Sequence, residues 1–152
     1  IHVVIKAIID TKKAEKFNAF MKEHNITCFN AQDIGNELHT VLYRSFMEVS
    51  GQNLPTMVVL DDSIYAMLQV RVAAGVVKEA NRTAVLEHLN KLNEKYKVFK
   101  YYVNESGDIV IESCIPTTED DFVPGIINAV IEVVLKHLIE EYPQIMKIVW
   151  AN

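Results

Sequence analysis

Cysteine and glycine are scarce in this chain of 152 residues, with two and five copies. Two cysteines cannot form the disulfide framework on which small secreted domains depend. Cys28 and Cys114 both fall in apolar surroundings in predicted strands, without a base or a helix N-terminus beside them to stabilise a thiolate. We therefore expect both thiols to be buried and structural. The glycines form neither a phosphate-binding loop nor a dinucleotide-binding fingerprint.

Basic residues are outnumbered, since 15 Lys and Arg against 20 Asp and Glu give a net charge of −5. This balance argues against nucleic-acid binding, which requires clustered cations. Asn128 and Glu132 interrupt the longest helical apolar run before it reaches the ~20 residues of a membrane span. The segment Ile1 to Ile9 fits a short strand or the entry to a helix, and it lacks the basic leader and cleavage site of a signal peptide. We expect a cytoplasmic location, with no membrane or nucleic-acid partner.

Patterns of metal and cofactor ligands are missing too. Five histidines, at positions 2, 24, 39, 88 and 137, include no pair four residues apart and have no nearby cysteine, whereas zinc ligands usually come in close pairs. The acidic run Glu119 to Asp121 precedes a predicted helix, where the helix dipole favours negative charge. Asp61 and Asp62 suit a turn. We therefore predict no metal, no cofactor and no catalytic residues, and hence a protein that is not an enzyme.

The chain does contain a clear succession of helical and strand patterns. Helical spacing predicts a helix from Asp10 or Thr11 to about Glu23 and another over residues 82–96, whereas alternation of apolar and polar residues predicts strands. Residues 26–29 fit a short strand that precedes a polar loop. The clearer strands cover residues 39–50, 56–60, 64–72, 98–103 and 109–115.

The order of these elements is helix, three-stranded meander, helix, β-hairpin and helix. Strands that are joined by short polar turns pair antiparallel. The sequence therefore predicts a single α+β domain over residues 1–152, with one mainly antiparallel sheet of about five strands packed by helices. In the hairpin, alternation places Phe99 and Tyr101 on the face that packs toward the core.

The last predicted helix carries more apolar surface than one layer beneath it can cover. Asp121 is its expected cap, Pro124 lies in its first turn, and Pro143 ends or kinks it. At about 100° per residue, its first apolar face consists of Ile127, Ile131, Val134, Leu138 and Tyr142.

A second apolar face lies beside the first, and it is the candidate interface with a second copy or a partner protein. His137 lies at the end of this face. We expect its ring to be partly exposed at the helix edge, rather than to form a pH-sensitive contact in a dimer interface. The candidate interface comprises Ile126, Ala129, Val130, Val133 and His137.

Packing and turn residues in the second half of the chain form a recognisable combination. They are the run Leu89 to Asn93, Tyr96, Phe99, Tyr101, the turn Gly107 to Val110, Glu112, Pro116 and the pair Tyr142-Pro143. In this combination, over residues 82–143, the chain resembles YbjN-type domains, a family described as putative bacterial sensory transduction regulators. Residues 10–77 fit this family in element order alone, and residues 1–9 have no counterpart in it.

The resemblance implies a fold like that of the type III secretion chaperones and a cytoplasmic bacterial homodimer without a known catalytic set. The related fold also implies binding of an extended protein segment. Our first hypothesis is a non-enzymatic, dimeric protein-interaction module with a regulatory or chaperone-like role. The alternative is a small-molecule-binding or catalytic domain with a pocket between sheet and helices, in which Tyr43, Arg44 or Arg71 supplies polar groups.

Overall fold

The computed structural model of the protein describes residues 12–151. The predictions for Ile1 to Ile9 and for a helix cap at Asp10 or Thr11 lie outside these residues. Three helices and six strands follow one another within the described range. They are Lys12–Glu23 (α1), Asn30–Asp33 (β1), Val41–Val49 (β2), Gln52–Leu60 (β3), Tyr65–Ala73 (β4), Arg82–Lys95 (α2), Lys100–Val103 (β5), Ile109–Pro116 (β6) and Pro124–Trp150 (α3).

The six strands form one antiparallel sheet in the order β1-β2-β3-β4-β6-β5. The first four strands are a meander in chain order. The last strand, β6, lies beside β4 and carries β5 on its other side, so β1 and β5 are the edges. This arrangement confirms the predicted α+β class, and the predicted number of about five strands is one too few.

The missed strand is β1, which lies in a segment predicted to be a loop. All four of its side chains are exposed, so no alternation of apolar and polar residues marks it. Backbone pairing holds it to β2, with Asn30 opposite Arg44. The strand predicted over residues 26–29 does not form. Its apolar character has another cause, since the Phe29 ring packs edge-on against Phe17 of α1 at 5.9 Å between centroids.

The sheet has two unlike faces, which we call the inner and the outer face. Successive side chains of a strand point to opposite faces, and burial in the strands other than β1 largely follows this alternation. The exceptions are Leu42 and Val110, which are buried although they lie on the outer face. The described helices pack on the inner face, where Phe17 of α1 meets Tyr43 with ring centroids 4.8 Å apart. Phe99 and Tyr101 are buried in the same core, as predicted. Other inner-face core residues are Met47, Val58, Leu60, Leu68, Val70, Ile109 and Ile111.

The terminal helix α3 continues through Pro143 to Trp150, so the proline does not end it. Proline offers no N–H to the carbonyl of Ile139, one turn earlier. Solvent is close to that position, because the Ile139 side chain is exposed. Beyond the proline, Ile145 and Val149 enter the core. Ile145 and Val149 lie on the same side of the helix as Leu138. Their burial in the core stabilises the helix beyond the proline.

A buried lysine fixes α1 to the turn between β3 and β4. The Lys13 ammonium donates hydrogen bonds to the carbonyls of Ser63, at 2.6 Å, and Tyr65, at 2.9 Å. Burial lowers the pKa of Lys13, whereas the nearby carboxylates, Asp61 first, oppose this shift. The role of Lys13 is not visible in the sequence, because its partners lie about fifty positions away and are backbone atoms.

Candidate functional site

The predicted first apolar face of α3 faces the core. Ile127, Val134 and Leu138 are fully buried, and Ile131 and Tyr142 are half-buried against the same core. The helix begins two residues later than predicted for an Asp121 cap, because Val123 is the N-cap and Pro124 the first helical residue. The Asp121 carboxylate instead accepts a hydrogen bond from the Thr118 hydroxyl, at 2.9 Å.

The predicted second face of α3 divides into a buried and an exposed part. Val130 and His137 are buried by the chain's own residues, so their side chains are not available to a partner. Ile126 and Val133 are 47% and 48% exposed, and Ala129 is exposed between them. We call these three exposed residues the helix flank.

The helix flank continues into two charged residues. Positions 126, 129, 133, 136 and 140 are separated alternately by three and four residues, which places their side chains on one strip of a helix. Lys136 and Glu140 extend the strip beyond Val133, and both are exposed. The strip is therefore apolar at its N-terminal end and charged at its C-terminal end.

A hollow borders the helix flank on each side of its centre. One, of about 340 Å³, is lined by Tyr96, Val133, Lys136, His137 and Glu140. The other, of about 230 Å³, lies near the start of the helix and includes Val123 and Ile126 among its lining residues. The surface around the flank is therefore not flat. Val133 of the flank lines the first hollow, and Ile126 of the flank lines the second.

His137 is a core residue, and the prediction that its ring is partly exposed is wrong. Its Nε2 atom lies 2.7 Å from the hydroxyl of Tyr101, and the rings of Tyr96 and Phe99 pack at 4.3 and 4.5 Å. Burial, and secondarily the charge of Lys95, lowers the pKa of His137 to about 4. The Nδ1 atom is buried and has no hydrogen-bond partner among residues 12–151. At neutral pH this histidine is therefore uncharged.

The outer face of the sheet carries a second candidate surface. Here the strand register places Arg44, Met57, Gln69 and Glu112 side by side across β2, β3, β4 and β6. Phe46 lies opposite Pro55, and its side chain is 68% exposed. Apolar side chains therefore lie on the face that none of the described helices covers.

A hollow of about 530 Å³ lies on this outer face. The side chains of Phe46, Pro55 and Met57 form an apolar floor, and Arg44 and Arg71 add positive charge. We call this site the outer-face hollow, and its lining is Cys28, Asn30, Arg44, Ser45, Phe46, Pro55, Thr56, Met57, Gln69 and Arg71.

The location of this hollow differs from the predicted alternative site. That prediction placed a pocket between sheet and helices and named Tyr43, Arg44 or Arg71 as its polar groups. Arg44 and Arg71 do line one hollow, but it lies on the opposite side of the sheet. Tyr43 points into the core, where its hydroxyl donates to the Asn18 side chain at 2.7 Å. It lines a separate, smaller hollow against α1.

Both cysteines are exposed, so the prediction of buried thiols is wrong. Cys114 lies on the outer face because its neighbour Ser113 points inward and is buried. Cys28 lies in the coil before β1 and lines the outer-face hollow. Partial burial, together with the charges of Glu112 and Asp61, raises the pKa of Cys114. This thiol is therefore less ionised than a free one, unlike a nucleophilic cysteine.

The acidic clusters behave as turn residues. The Asp61 carboxylate accepts a hydrogen bond from the Ser63 amide at 2.9 Å, and Asp62 pairs with His39. Within residues 12–151, no three His, Cys, Asp or Glu side chains come together as ligands for a metal ion. No helix of that range combines the length and the apolar character needed to cross a membrane.

The chain is similar to one known family of protein domains. The family model YbjN, described as "Putative bacterial sensory transduction regulator", matches residues 37–145. The match runs from just before β2 into the last part of α3. It includes the helix flank and strands β2, β3 and β4 of the outer-face hollow, whereas Cys28 and Asn30 of that hollow lie before it. No curated protein matches the chain significantly. The family match covers most of the sequence, and the protein therefore belongs to the YbjN family.

Proposed function

We propose that the protein is a non-enzymatic, homodimeric protein-interaction module, with a regulatory or chaperone-like role in the bacterial cytoplasm. The observation that carries this proposal is the helix flank. An Ile, an Ala and a Val are exposed in line on a helix whose opposite side is buried in the core. A contiguous exposed apolar strip on a helix supports an interaction site for a partner molecule.

A second copy of the chain fits the helix flank. Most homo-oligomers are two-fold symmetric, so one patch must be complementary to itself. If the axis passes through Ala129, the two α3 helices cross antiparallel, and the small alanine side chain allows their backbones to approach closely. Ile126 of the partner subunit then faces the hollow beside Val133, and the reverse contact forms by symmetry.

Charge complementarity supports the antiparallel arrangement. Lys136 lies ~10 Å beyond Ala129 along the helix axis, and Pro124 lies ~8 Å before it. The acidic segment Glu119 to Asp121 directly precedes Pro124, and Asp120 and Asp121 are exposed. In an antiparallel pair, Lys136 of each copy therefore approaches this acidic segment of the other. A parallel pair would bring like charges together at both ends.

Sedimentation velocity at micromolar protein concentration tests the dimer. The unmodified chain is expected to sediment with twice the mass of one chain, and Val133→Lys with the mass of one. Leu86→Lys is the matched control, because Leu86 is also an exposed apolar helix residue but lies on α2. We expect Leu86→Lys to remain a dimer.

A charge exchange separates the proposed geometry from a general loss of apolar surface. Lys136→Glu and Asp120→Lys are each expected to weaken the dimer, because each creates a like-charge contact. The double variant is expected to recover most of the lost affinity. A monomeric unmodified chain would contradict the proposal, and so would dissociation by Leu86→Lys to the same extent as by Val133→Lys.

The outer-face hollow favours a second candidate function, the binding of a small amphipathic anion. Its volume of about 530 Å³ lies within the range of small-molecule sites, and Arg44 and Arg71 would bind acidic groups. A comparison of the affinities for dodecanedioate and for an acidic peptide distinguishes this function from the binding of a protein segment.

A further inference from the structure

Within residues 12–151, the outer-face hollow combines an apolar floor that no helix covers with two arginines that form no ion pair. No carboxylate of residues 12–151 forms an ion pair with Arg44 or Arg71. Arg44 donates a hydrogen bond to the neutral side chain of Gln32. Both arginines are exposed, so each guanidinium can bind an incoming carboxylate in the bidentate geometry that arginine favours.

The acidic residues near the two arginines either accept hydrogen bonds from other groups or lie beyond the apolar floor. Hydrogen bonds from Asn104 and from the Gly75 amide lower the pKa of Asp108, and the charge of Arg71 contributes only after these. Glu112 accepts hydrogen bonds from Gln69 and Tyr102, both at 3.1 Å. Glu48 lies opposite Asn53, beyond the apolar floor.

Lys100 of β5 is held by the backbone of its own chain. The Lys100 ammonium donates to the carbonyls of Asn93, at 2.8 Å, and Tyr96, at 3.2 Å. The two arginines therefore supply the positive charge that is available to a ligand in this hollow.

The separation of the two arginines indicates the separation of acidic groups in a ligand that would pair with both. Arg44 is separated from Arg71 by two strand spacings across the sheet and by two residues along it, because Arg44 lies opposite Met57 and Met57 opposite Gln69. Strands lie ~4.8 Å apart and residues rise ~3.4 Å each, so the two Cα atoms are ~12 Å apart. Two acidic residues at positions i and i+4 of an extended chain are ~13 Å apart. This separation is close to that of the two arginines, so each acid can pair with its own guanidinium group.

We propose that the outer-face hollow binds an extended segment of a partner protein in which two acidic residues flank one large apolar residue. The apolar side chain packs on Phe46, Pro55 and Met57, and each acid pairs with one arginine. This inference deepens the proposed function, because it defines the chemistry of the partner that the interaction module recognises. The segment crosses the strands obliquely and binds through its side chains, and so it leaves the edge strands β1 and β5 free.

Fluorescence anisotropy with a labelled peptide tests this proposal. The probe has Glu-Thr-Phe-Thr-Glu as its centre, since threonine and phenylalanine favour an extended chain. We expect saturable binding to the unmodified chain that weakens as salt is added. Arg44→Glu, Arg71→Glu and Phe46→Ser are each expected to weaken binding about tenfold. The third arginine of the chain, Arg82 on α2, provides the matched control, and Arg82→Glu is expected to leave binding unchanged.

Peptide and ligand controls separate this site from non-specific attraction. Peptides with lysine in place of both glutamates, or serine in place of phenylalanine, are expected to bind at least about tenfold more weakly. Dodecanedioate carries two carboxylates at a similar separation without a peptide backbone. Binding of dodecanedioate as tightly as the peptide would replace the proposal with a small-molecule site. Absence of saturable peptide binding, or equal weakening by Arg82→Glu, would overturn it.

The exposed thiol of Cys28 offers a second measurement at the site itself. In a Cys114→Ser background, the rate of modification of Cys28 by a thiol reagent is expected to fall severalfold when the peptide is bound. Unchanged reactivity under saturating peptide would place the peptide elsewhere and contradict the proposal.

The result of the peptide-binding experiment can be distinguished from the result of the dimer experiment. Val133→Lys is expected to keep the peptide affinity per chain while it dissociates the dimer, because the helix flank and the outer-face hollow lie on different elements. A dimer that does not bind the peptide would contradict the hollow assignment alone. A monomer that binds it would contradict the dimer alone.

Discussion

The inner and outer faces of the sheet both carry apolar side chains, but only the inner one has a partner within residues 12–151. On the inner face, Leu68 and Ile111 are fully buried beneath the helices. On the outer face, Phe46 is largely exposed and Tyr65 is partly exposed. The inner pattern is what folding requires. The outer pattern is not required for folding, and it is therefore the better indicator of function.

The largest contrast expected between the two faces is in stability. Leu68→Ala removes buried methyl groups and leaves a cavity, which should lower the free energy of unfolding by about 3 kcal/mol. Phe46→Ala removes a larger side chain from the outer face and should change it by less than about 0.5 kcal/mol. Urea denaturation followed by circular dichroism measures both.

Equal destabilisation by these two variants would show that the Phe46 ring is covered by another part of the chain. In that case the outer face would be part of the folding core, and the outer-face hollow could not be a free binding site.

A smaller contrast concerns pH and the buried side of α3. The pKa of His137 is about 4 in the folded chain, against about 6.5 in an unfolded one. The unfolded state therefore binds more protons between these values, and stability falls as the pH is lowered from about 6.5 to about 4. The difference corresponds to a loss of at most about 3 kcal/mol.

The variant His137→Gln isolates this effect, since glutamine does not titrate and can still hydrogen-bond Tyr101. Subtraction of its unfolding free energies from those of the unmodified chain at each pH is expected to give a curve that rises toward neutral pH. A flat difference curve would show that the ring is accessible to water, as the sequence alone suggested.

Much of the fold could be predicted from local patterns. The strands with a buried face and the three helices have strong periodicity, because each must direct its apolar side chains toward one core. The edge strand β1 could not be found in this way. Its exposed side chains, Asn30 to Asp33, contribute nothing to that core, and its pairing with β2 uses backbone groups that every sequence has.

The candidate site was predictable only in part, for a geometric reason. Periodicity placed Ile126, Val130 and Val133 on one side of α3. Whether such a residue is buried depends on how far the neighbouring elements extend around the helix. His137 is buried because Phe99, in the loop before β5, and Tyr101, in β5, pack against its ring. The sequence of the helix alone does not predict this contact.

The wrong prediction for the two cysteines also has a geometric cause. An apolar neighbourhood in sequence does not imply burial in a strand, because adjacent residues point to opposite faces. The phase of alternation in β6 places Ile111 and Ser113 inside, and so places Cys114 outside. That phase was available from the sequence. The position of Cys28, in a coil, was not.

The most direct test of the central claim is a disulfide cross-link through the proposed two-fold axis. In a chain with Cys28→Ser and Cys114→Ser, Ala129→Cys brings two identical thiols together only if the α3 helices cross at that residue. Mild oxidation is expected to give a covalent dimer on a non-reducing gel. The same background with Leu86→Cys is expected to remain monomeric on that gel. Cross-linking of Leu86→Cys but not of Ala129→Cys, or of neither, would contradict the account.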